Sequence, residues 1–297
     1  MAFVDNTTYT GKDAQGFYSA ALLTGDTKSV IKLYPDVKSK IKIARLDMTN
    51  ILQEADCTFT DGGTTTLAQK TLEVCSLKVN LEYCQRTFEA NYLSEQLRAG
   101  SNNGEVMPAS VEEYILGQIA ANISTDLESL IWIGDTEASP ASLCDGFIKL
   151  FTADSDVIDV VGTTVTAANV ITEIGKVYAA IPATIKFKGK VKIFISNAIA
   201  GFYKQAQGAL SGGIFITGDK ELNYLGIPLV ISPGLPTNDM VAADFDNLWF
   251  GTDLMSDFED VLIIPQKNIS GAPTVRVVAE FKFGVNYGVG AEIVYYT

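Results

Sequence analysis

The sequence predicts an α+β fold, and three features of the chain support that prediction. Residues 110–134 repeat apolar side chains with the period of an α-helix, whereas residues 72–83 and 275–295 alternate apolar and polar side chains, as half-buried strands do. Residues 146–258 mix short helical and extended patterns separated by turn residues. The chain has 297 residues, of which 47% are hydrophobic, so it can bury a sizeable core as one large or two modest domains.

The most strongly patterned stretch is Ser110–Gly134, which predicts a long amphipathic helix of roughly 35 Å. Ser110 and Glu113 have the spacing of a capping box, in which each side chain accepts a hydrogen bond from a free backbone N–H. Gly134 stands where a left-handed residue commonly ends a helix. Glu113 and Glu128 lie on the polar face of this helix. The predicted buried stripe consists of Ile115, Leu116, Ile119, Ala120, Ile123, Leu127 and Leu130.

The chain before this helix is predicted to be rich in strand. Lys28–Arg45 is basic and β-prone, and we expect it to form an arm that lies along another part of the assembly. Asp61–Gly63 indicates a turn between two extended runs, so residues 38–86 are expected to include a projecting two-stranded hairpin. The alternation slips by one residue at Cys75, which indicates a bulge or a twist.

Shorter patterns predict the remaining elements. Helices are predicted at 13–23, 87–98, 167–181 and 197–207. Strands are predicted at 190–196, at 224–232 with a break near Pro228, and at 247–250, 261–264, 275–283 and 289–295.

Composition argues against catalysis and against metal binding. The chain has no histidine, which removes the commonest general base near neutral pH and the commonest metal ligand. The four cysteines include no C-x-x-C pair, and we expect free, mostly buried thiols. Asp154, Asp156 and Asp159 lack the glycine and the distal glutamate of a calcium-binding EF-hand loop and are interpreted as a solvated loop. No catalytic, cofactor-binding or metal-binding residue is therefore predicted.

Charge and hydropathy limit the partners of the chain. The net charge of −13 argues against sequence-specific or tight binding of nucleic acid, which requires Lys and Arg against phosphates. No apolar run is long enough to span a bilayer, and the N-terminus lacks the layout of a signal peptide. We therefore expect no membrane partner and synthesis in the cytoplasm.

Several stretches, in their order along the chain, carry a resemblance to a known family. SVIKLYPDVKSKIKI is similar to an arm that leads into an extended loop, and the helix at 110–133 is similar to a spine helix. KVKIFISNAIAGFYKQA, YLGIPLVISPGLPTNDMVAADFDNLWFGTDL and VRVVAEFKFGVNYGVGAEIVYY are similar to the strand and helix, the return and the final strands of that family. The sequence as a whole resembles the major capsid protein of tailed bacteriophages, whose shell fold is shared with encapsulin nanocompartments.

This resemblance implies a division of the chain into five parts. Residues 1–37 would be the N-terminal arm, and 38–86 the extended loop with its β-hairpin. Residues 87–145 would form the peripheral domain with the spine helix, and 146–258 the axial domain. Residues 259–297 would return to the peripheral domain as terminal strands. Because Met1 lies close to the arm, a scaffolding protein is expected to be a separate chain.

The function that the resemblance implies is structural. The chain would not be an enzyme and would need no cofactor; it would self-assemble as hexamers and pentamers into an icosahedral phage head that encloses double-stranded DNA. Its partners would be further copies of itself, portal, scaffolding and decoration proteins, and packaged DNA bound without sequence specificity. It would be located in the virion after assembly in the bacterial host cytoplasm.

Two alternatives stay open at this point. The first is an encapsulin-like nanocompartment shell protein, which would have nearly the same fold and hold an enzyme cargo. The second is an enzyme or carbohydrate-binding domain rich in β-strand, because glycosidases can work with carboxylates alone. Residues 101–150 carry one Lys or Arg and eight Asp or Glu, and we expect this acidic excess, including Glu113 and Glu128, to face the lumen of a shell.

Overall fold

The computed structural model describes residues 7–9, 27–54, 62–84, 109–138, 143–186, 189–210, 222–253, 261–272 and 274–297. The helices predicted at 13–23 and 87–98 lie outside these residues, as do the side chains of residues 109–115, with Ser110, Glu113 and Ile115 among them. The described part is a mixture of helices and sheets, so the prediction of an α+β fold is confirmed.

The strands and helices have the following bounds. The strands are β1 (Thr7–Tyr9), β2 (Lys32–Tyr34), β3 (Lys40–Thr49), β4 (Thr64–Glu73), β5 (Cys75–Cys84), β6 (Ile158–Val160), β7 (Val191–Ile195), β8 (Asn223–Tyr224), β9 (Ile227–Ile231), β10 (Met240–Asp244), β11 (Leu248–Thr252), β12 (Val261–Pro265), β13 (Thr274–Tyr287) and β14 (Val294–Tyr296). The helices are α1 (Ala109–Ile133), α2 (Phe147–Ala153), α3 (Val170–Ala180), α4 (Ala183–Lys186), α5 (Asn197–Leu210) and α6 (Lys267–Ser270).

The first sheet is built around β13, which pairs antiparallel with β5, β11 and β12. β1 extends it beyond β12, and β2 lies parallel to β11. Residues of β5 and β13 that face each other lie on the same side of the sheet: Leu77 and Phe281 are both buried, and the next pair, Lys78 and Glu280, are both exposed. This alternation is that of an antiparallel sheet with one covered face.

The second sheet has the strand order β6-β14-β10-β7-β9-β8 and is covered on both faces. On one face, Ile193 and Met240 join a core with residues of α3 and α5. On the other face, Phe194 and Val241 join the core that contains α1, α2 and the first sheet. Because both faces are buried, four of the five residues of β10 are buried in an unbroken run.

The long helix α1 packs into the first core through the predicted stripe. Ile119 is 3% exposed and Leu127 is 2% exposed, and both belong to the same core as the inward-facing residues of β13. Leu116, Ala120 and Ile123 are buried as well, so the helix assignment and its buried face are confirmed. The helix ends at Ile133, and Gly134 follows it without the positive φ expected of a left-handed cap. Gly134 is instead packed so closely that an added Cβ would lie 2.3 Å from the Cys144 carbonyl oxygen.

Some predictions of local structure are wrong in detail. The predicted strand at 289–295 is interrupted by a 3-10 turn at Gly290–Glu292, because the chain there passes from the first sheet to the second. The side chain of Asn247 holds this passage by accepting hydrogen bonds from the backbone N–H groups of Gly288 and Val289. As a result β14 pairs with β10 and β6 of the second sheet, whereas β13 pairs within the first sheet.

The break predicted near Pro228 lies three residues earlier. Leu225 and Gly226 both have positive φ angles, 48° and 87°, and form the turn between β8 and β9. Pro228 is inside β9, where it is opposite Asn223 of the short edge strand β8. A two-residue hairpin turn needs left-handed backbone at both positions, and a proline at 228 does not prevent it.

Candidate functional site

The strands β3 and β4 form a two-stranded hairpin that extends away from the rest of the described chain. Ten residue pairs join them, from Lys40 opposite Glu73 to Thr49 opposite Thr64, and the ladder is roughly 30 Å long. Within the described residues no other strand pairs with either of them. The two-stranded hairpin predicted from the sequence is therefore confirmed; residues 55–61, with Asp61 of the predicted turn among them, lie outside the described part.

The root of the hairpin is fixed to the first sheet by close packing. Leu72 is fully buried and forms a small core with Val37 and Trp249. An added Cβ at Gly251 would lie 2.9 Å from a methyl group of Leu72, and one at Gly284 would lie 2.1 Å from the carbonyl oxygen of Glu73. These two glycines therefore allow the hairpin root to lie directly on β11 and β13.

A charged contact adds to this packing. The Lys70 ammonium lies 3.5 Å from the centre of the Tyr287 ring and 3.3 Å from a carboxylate oxygen of Asp154. The Tyr287 hydroxyl donates a hydrogen bond to the same carboxylate and, with the backbone N–H of Asp156, holds the pKa of Asp154 below its ordinary value. Burial and the Asp154 carboxylate raise the pKa of Tyr287. Asp154, interpreted from the sequence as part of a solvated loop, instead fixes the hairpin.

The apolar side chains of the hairpin change faces between its root and its far end. Successive residues of a strand point to opposite faces. Ile41 and Ile43 therefore share one face with Leu72, which is the ladder partner of Ile41. Leu46 and Met48 lie on the other face, where Leu46 is directly opposite Leu67. On the root face Leu72 is buried and Ile43 is half-buried against the body, whereas Ile41 is 37% exposed. On the opposite face the apolar residues far from the root are all exposed to solvent.

We name Leu46, Met48 and Leu67 the distal apolar face. Their exposed fractions are 53%, 53% and 60%. Two more exposed apolar residues, Ile51 and Leu52, follow β3 directly. A two-stranded ribbon is at best marginally stable alone in water, and contiguous exposed apolar residues commonly mark an interaction surface. The distal apolar face is therefore the candidate functional site of this chain.

Sequence reasoning located the hairpin but missed this face. The threonines at 64–66 indicated a polar tip, and no apolar face was assigned to the hairpin. The signal that could have revealed it is the shift of the apolar positions from odd numbers at 41 and 43 to even numbers at 46 and 48. Such a shift moves the apolar side chains to the opposite face of a strand.

Residues 27–31, which we call the N-terminal segment, pack against α1 through buried polar residues. The Thr27 hydroxyl donates a hydrogen bond to Ser232 and accepts one from the Trp132 indole. Lys28 is 6% exposed, and its ammonium donates to the hydroxyl oxygen of Ser124 at 3.0 Å. Burial lowers the pKa of Lys28 to about 8, an effect that the Glu128 carboxylate partly offsets.

The expectation that Glu128 faces a lumen is wrong. Its side chain is buried, with 5% of the residue exposed, and both carboxylate oxygens lack a hydrogen-bond partner among the described residues. The helix face that looks polar in the sequence is covered there by the N-terminal segment and by the loop at Gly234, where an added Cβ would lie 1.9 Å from the Glu128 carbonyl oxygen. Glu113 lies outside the described side chains.

The cysteines also differ from the expectation of free thiols. Cys75 and Cys144 form a disulfide whose Cα atoms are 6.3 Å apart. The two residues are 69 positions apart, so no local sequence motif indicated that they form a pair. Cys84 is a free thiol, and Cys57 lies outside the described residues.

Neither a metal centre nor a membrane span is found in the parts of the chain described above. No group of three or more Cys, Asp or Glu side chains there could hold a metal ion. None of the helices described is both long and apolar enough to cross a membrane.

Comparison with known proteins gives matches at the level of fold. No known protein-family profile and no curated protein matches the sequence. The capsid of an empty GTA particle, computed with C5 symmetry, matches with a TM-score of 0.63 at 15% identity, over 94% of this chain and 89% of that chain. The procapsid of satellite phage P4, which includes the size determination (Sid) protein, matches with a TM-score of 0.59 at 11% identity, over 95% and 96%.

A structure from Mycobacterium phage Cain matches with a TM-score of 0.56 at 14% identity, over 94% of each chain. Matches of this extent cover the hairpin, both sheets and the long helix together. The resemblance inferred from the order of sequence elements is confirmed, and the chain has the fold of the major capsid proteins of phages.

Proposed function

We propose that this chain is the structural subunit of an icosahedral phage head and that it assembles as hexamers and pentamers around double-stranded DNA. The fold supports a shell protein, and the single observation that carries the proposal further is the distal apolar face. Leu46, Met48 and Leu67 are exposed on a hairpin that this chain does not cover within its described residues. A shell subunit needs such a surface, because each copy must bind a neighbour.

The proposed occupant of the distal apolar face is a second copy of the same chain. The hairpin ladder is about 30 Å long, and the part beyond its packed root can reach over an adjacent subunit. A contact in which the hairpin of one copy binds a different surface of the next is heterologous, and heterologous contacts close into rings when the rotation between copies permits it. Such rings provide the hexamers and pentamers of the proposal.

The net charge of the chain is consistent with a shell that binds packaged DNA only weakly. At a net charge of −13 the subunit cannot release many counterions from DNA phosphates, so its contacts with packaged DNA are non-specific and weak. Portal, scaffolding and decoration proteins are the other proposed partners. The subunit itself performs assembly, and no catalytic role is proposed.

The test is whether the purified protein forms closed particles and what these contain. The protein is expressed in bacteria and examined by size-exclusion chromatography with light scattering and by negative-stain electron microscopy, with and without a crowding polymer. We expect rings or closed shells with a mass many times the 32.0 kDa of one chain. A protein that stays at the mass of one or two chains under every condition contradicts the proposal, and shells that carry a protein cargo in place of nucleic acid favour an encapsulin-like compartment.

A further inference from the structure

The disulfide between Cys75 and Cys144 lies where the hairpin leaves the body of the protein. Cys75 is the first residue of β5, and Val74, which belongs to no strand, separates it from the last residue of β4. The alternation of the sequence slips at this point because β4 pairs with β3 whereas β5 pairs with β13. The bond therefore holds the residue at which the chain passes from the hairpin to the first sheet.

The other end of the bond is attached to a rigid part of the molecule. Cys144 lies between α1 and α2 and is 2% exposed. The backbone around it is packed tightly, because the N–H of Gly146 donates to the Gly134 carbonyl at 2.8 Å and neither glycine has room for a side chain. The disulfide thus joins the hairpin root covalently to the end of α1, whereas the other root contacts described above are non-covalent.

The two cysteine residues differ in their exposure to solvent. Cys75 is partly exposed, and Cys144 is buried. The Cys75 sulfur also lies 3.4 Å from the carbonyl oxygen of Phe283, which can accept a hydrogen bond from the thiol when the bond is reduced. The reduced Cys75 thiol therefore has a hydrogen-bond acceptor already in place.

We infer that Cys75–Cys144 is a redox-dependent brace that sets how firmly the hairpin is held to the body. To form it, the Cys75 thiolate attacks one sulfur of a small disulfide such as oxidised glutathione and releases one small thiolate. The Cys144 thiolate then attacks the Cys75 sulfur of the mixed disulfide, and the second small thiolate leaves. The protein loses two electrons and two protons, and the small disulfide takes them up as two thiols. A small thiol in excess reverses both steps, starting at Cys75.

The inference is independent of the proposed shell function, because it concerns one chain. The purified protein is equilibrated in glutathione buffers from fully reduced to fully oxidised, free thiols are blocked with N-ethylmaleimide, and peptide mapping identifies the bonded pair. Hydrogen exchange of β3 and β4 is then measured in the oxidised and the reduced protein. We expect the Cys75–Cys144 bond in oxidised buffer, and exchange at the hairpin root at least about threefold faster after reduction.

Two variants control the experiment. Cys84→Ser removes the thiol that is free in the structure and should respond to the buffer as the wild type does. The double variant Cys75→Ser with Cys144→Ser should exchange at the reduced rate in every buffer, and the wild-type comparison stands without it if that variant does not fold. Two free thiols at 75 and 144 in oxidised buffer, or equal exchange of the hairpin in both redox states, would overturn the inference.

Discussion

At the scale of single residues, Lys28 is one of the few buried charges among the described residues. Its ammonium is buried against α1, where the hydroxyl oxygen and the carbonyl oxygen of Ser124 accept its hydrogen bonds and Glu128 supplies an opposite charge. Burial disfavours the charged form of an amine, so the folded protein releases the Lys28 proton more readily than the unfolded chain does. The N-terminal segment is thus held to α1 by a side chain whose charge, in the folded protein, changes near pH 8.

This arrangement predicts a pH dependence with a definite sign. The pKa of Lys28 is about 8 in the folded protein and about 10.4 in the unfolded chain, so the unfolded state binds more protons between these values and stability rises with pH. From pH 7.5 to 9.5 the wild type should gain about 1–2 kcal/mol relative to Lys28→Met, measured by urea unfolding. Lys204→Met, at an exposed position on α5, is the control and should show no such gain. Parallel curves for the wild type and Lys28→Met would contradict the account.

Tyr296 is a second residue at this scale, and loss of its hydroxyl should measurably lower the free energy of unfolding. It donates to the buried carboxylate of Glu173 at 2.7 Å and accepts a hydrogen bond from the Thr163 backbone N–H at 3.0 Å. Burial, and next the Glu173 carboxylate, raise the pKa of Tyr296 to about 12. Tyr296→Phe removes a hydrogen bond to the Glu173 carboxylate, which keeps Lys176 and Thr163 as donors, and it removes the acceptor of the Thr163 N–H. It should lower the free energy of unfolding by about 1–3 kcal/mol. An unchanged urea midpoint for this variant would show that the hydroxyl contributes nothing to holding β14.

At the scale of elements, α1 is expected to be stabilised chiefly by its buried stripe. Ile119→Ala and Ile123→Ala should each cost about 2–5 kcal/mol, because each removes a side chain that is more than nine-tenths buried in the first core. Gln118→Ala, next to Ile119 on the exposed side, should change stability by less than about 0.5 kcal/mol. Chemical unfolding of the three variants measures this, and equal values for Ile119→Ala and Gln118→Ala would refute the assignment of the buried face.

The elements that the sequence predicts well are those with one covered and one open face. The stripe of α1 and the alternation of β5 and β13 have a visible period because only half of each element is buried. Strand β10 has no period because both of its faces are covered, and it was missed. Helix α2 was also missed, since a seven-residue helix gives too few repeats to reveal one.

The candidate site was predictable only in part. The position of the hairpin follows from its turn residues and extended runs, whereas its function depends on which face is covered by the body, and that is decided by distant residues such as Trp249. The same holds for Glu128, whose neighbours Lys28 and Gly234 lie about a hundred residues away on either side. Contacts of this kind leave no local pattern in a single sequence.

At the scale of the whole molecule, the described residues form a packed body and a long, exposed hairpin. The second sheet lies between two cores, and the body holds the hairpin root through Leu72, Lys70 and the Cys75–Cys144 disulfide. This body gives the hairpin a fixed origin, so the distal apolar face can meet a neighbour at a defined place. The central claim is that this face, and not the hairpin as such, binds the next copy of the chain.

Adjacent residues on opposite faces of β4 allow this claim to be tested directly. Leu67 lies on the distal apolar face, and Thr66 lies on the other face of the same strand; both are exposed. Leu67→Asp removes an apolar contact and places a charge in the proposed interface, whereas Thr66→Asp introduces the same residue in the same strand outside it. The free energy of unfolding of the isolated subunit should change little in either variant, and Thr66→Asp should lose the more because the ladder partner of Thr66 is Asp47. A selective loss of assembly in Leu67→Asp therefore cannot come from lower subunit stability.

The measurement is the fraction of protein that sediments as assembled particles for the wild type, Leu67→Asp and Thr66→Asp at equal concentration. The account predicts at least about a tenfold loss of particles for Leu67→Asp, because each contact would lose more than 1.4 kcal/mol, and near wild-type assembly for Thr66→Asp. Wild-type yields from Leu67→Asp, or an equal loss from both variants, would contradict the claim that Leu46, Met48 and Leu67 bind the neighbouring subunit.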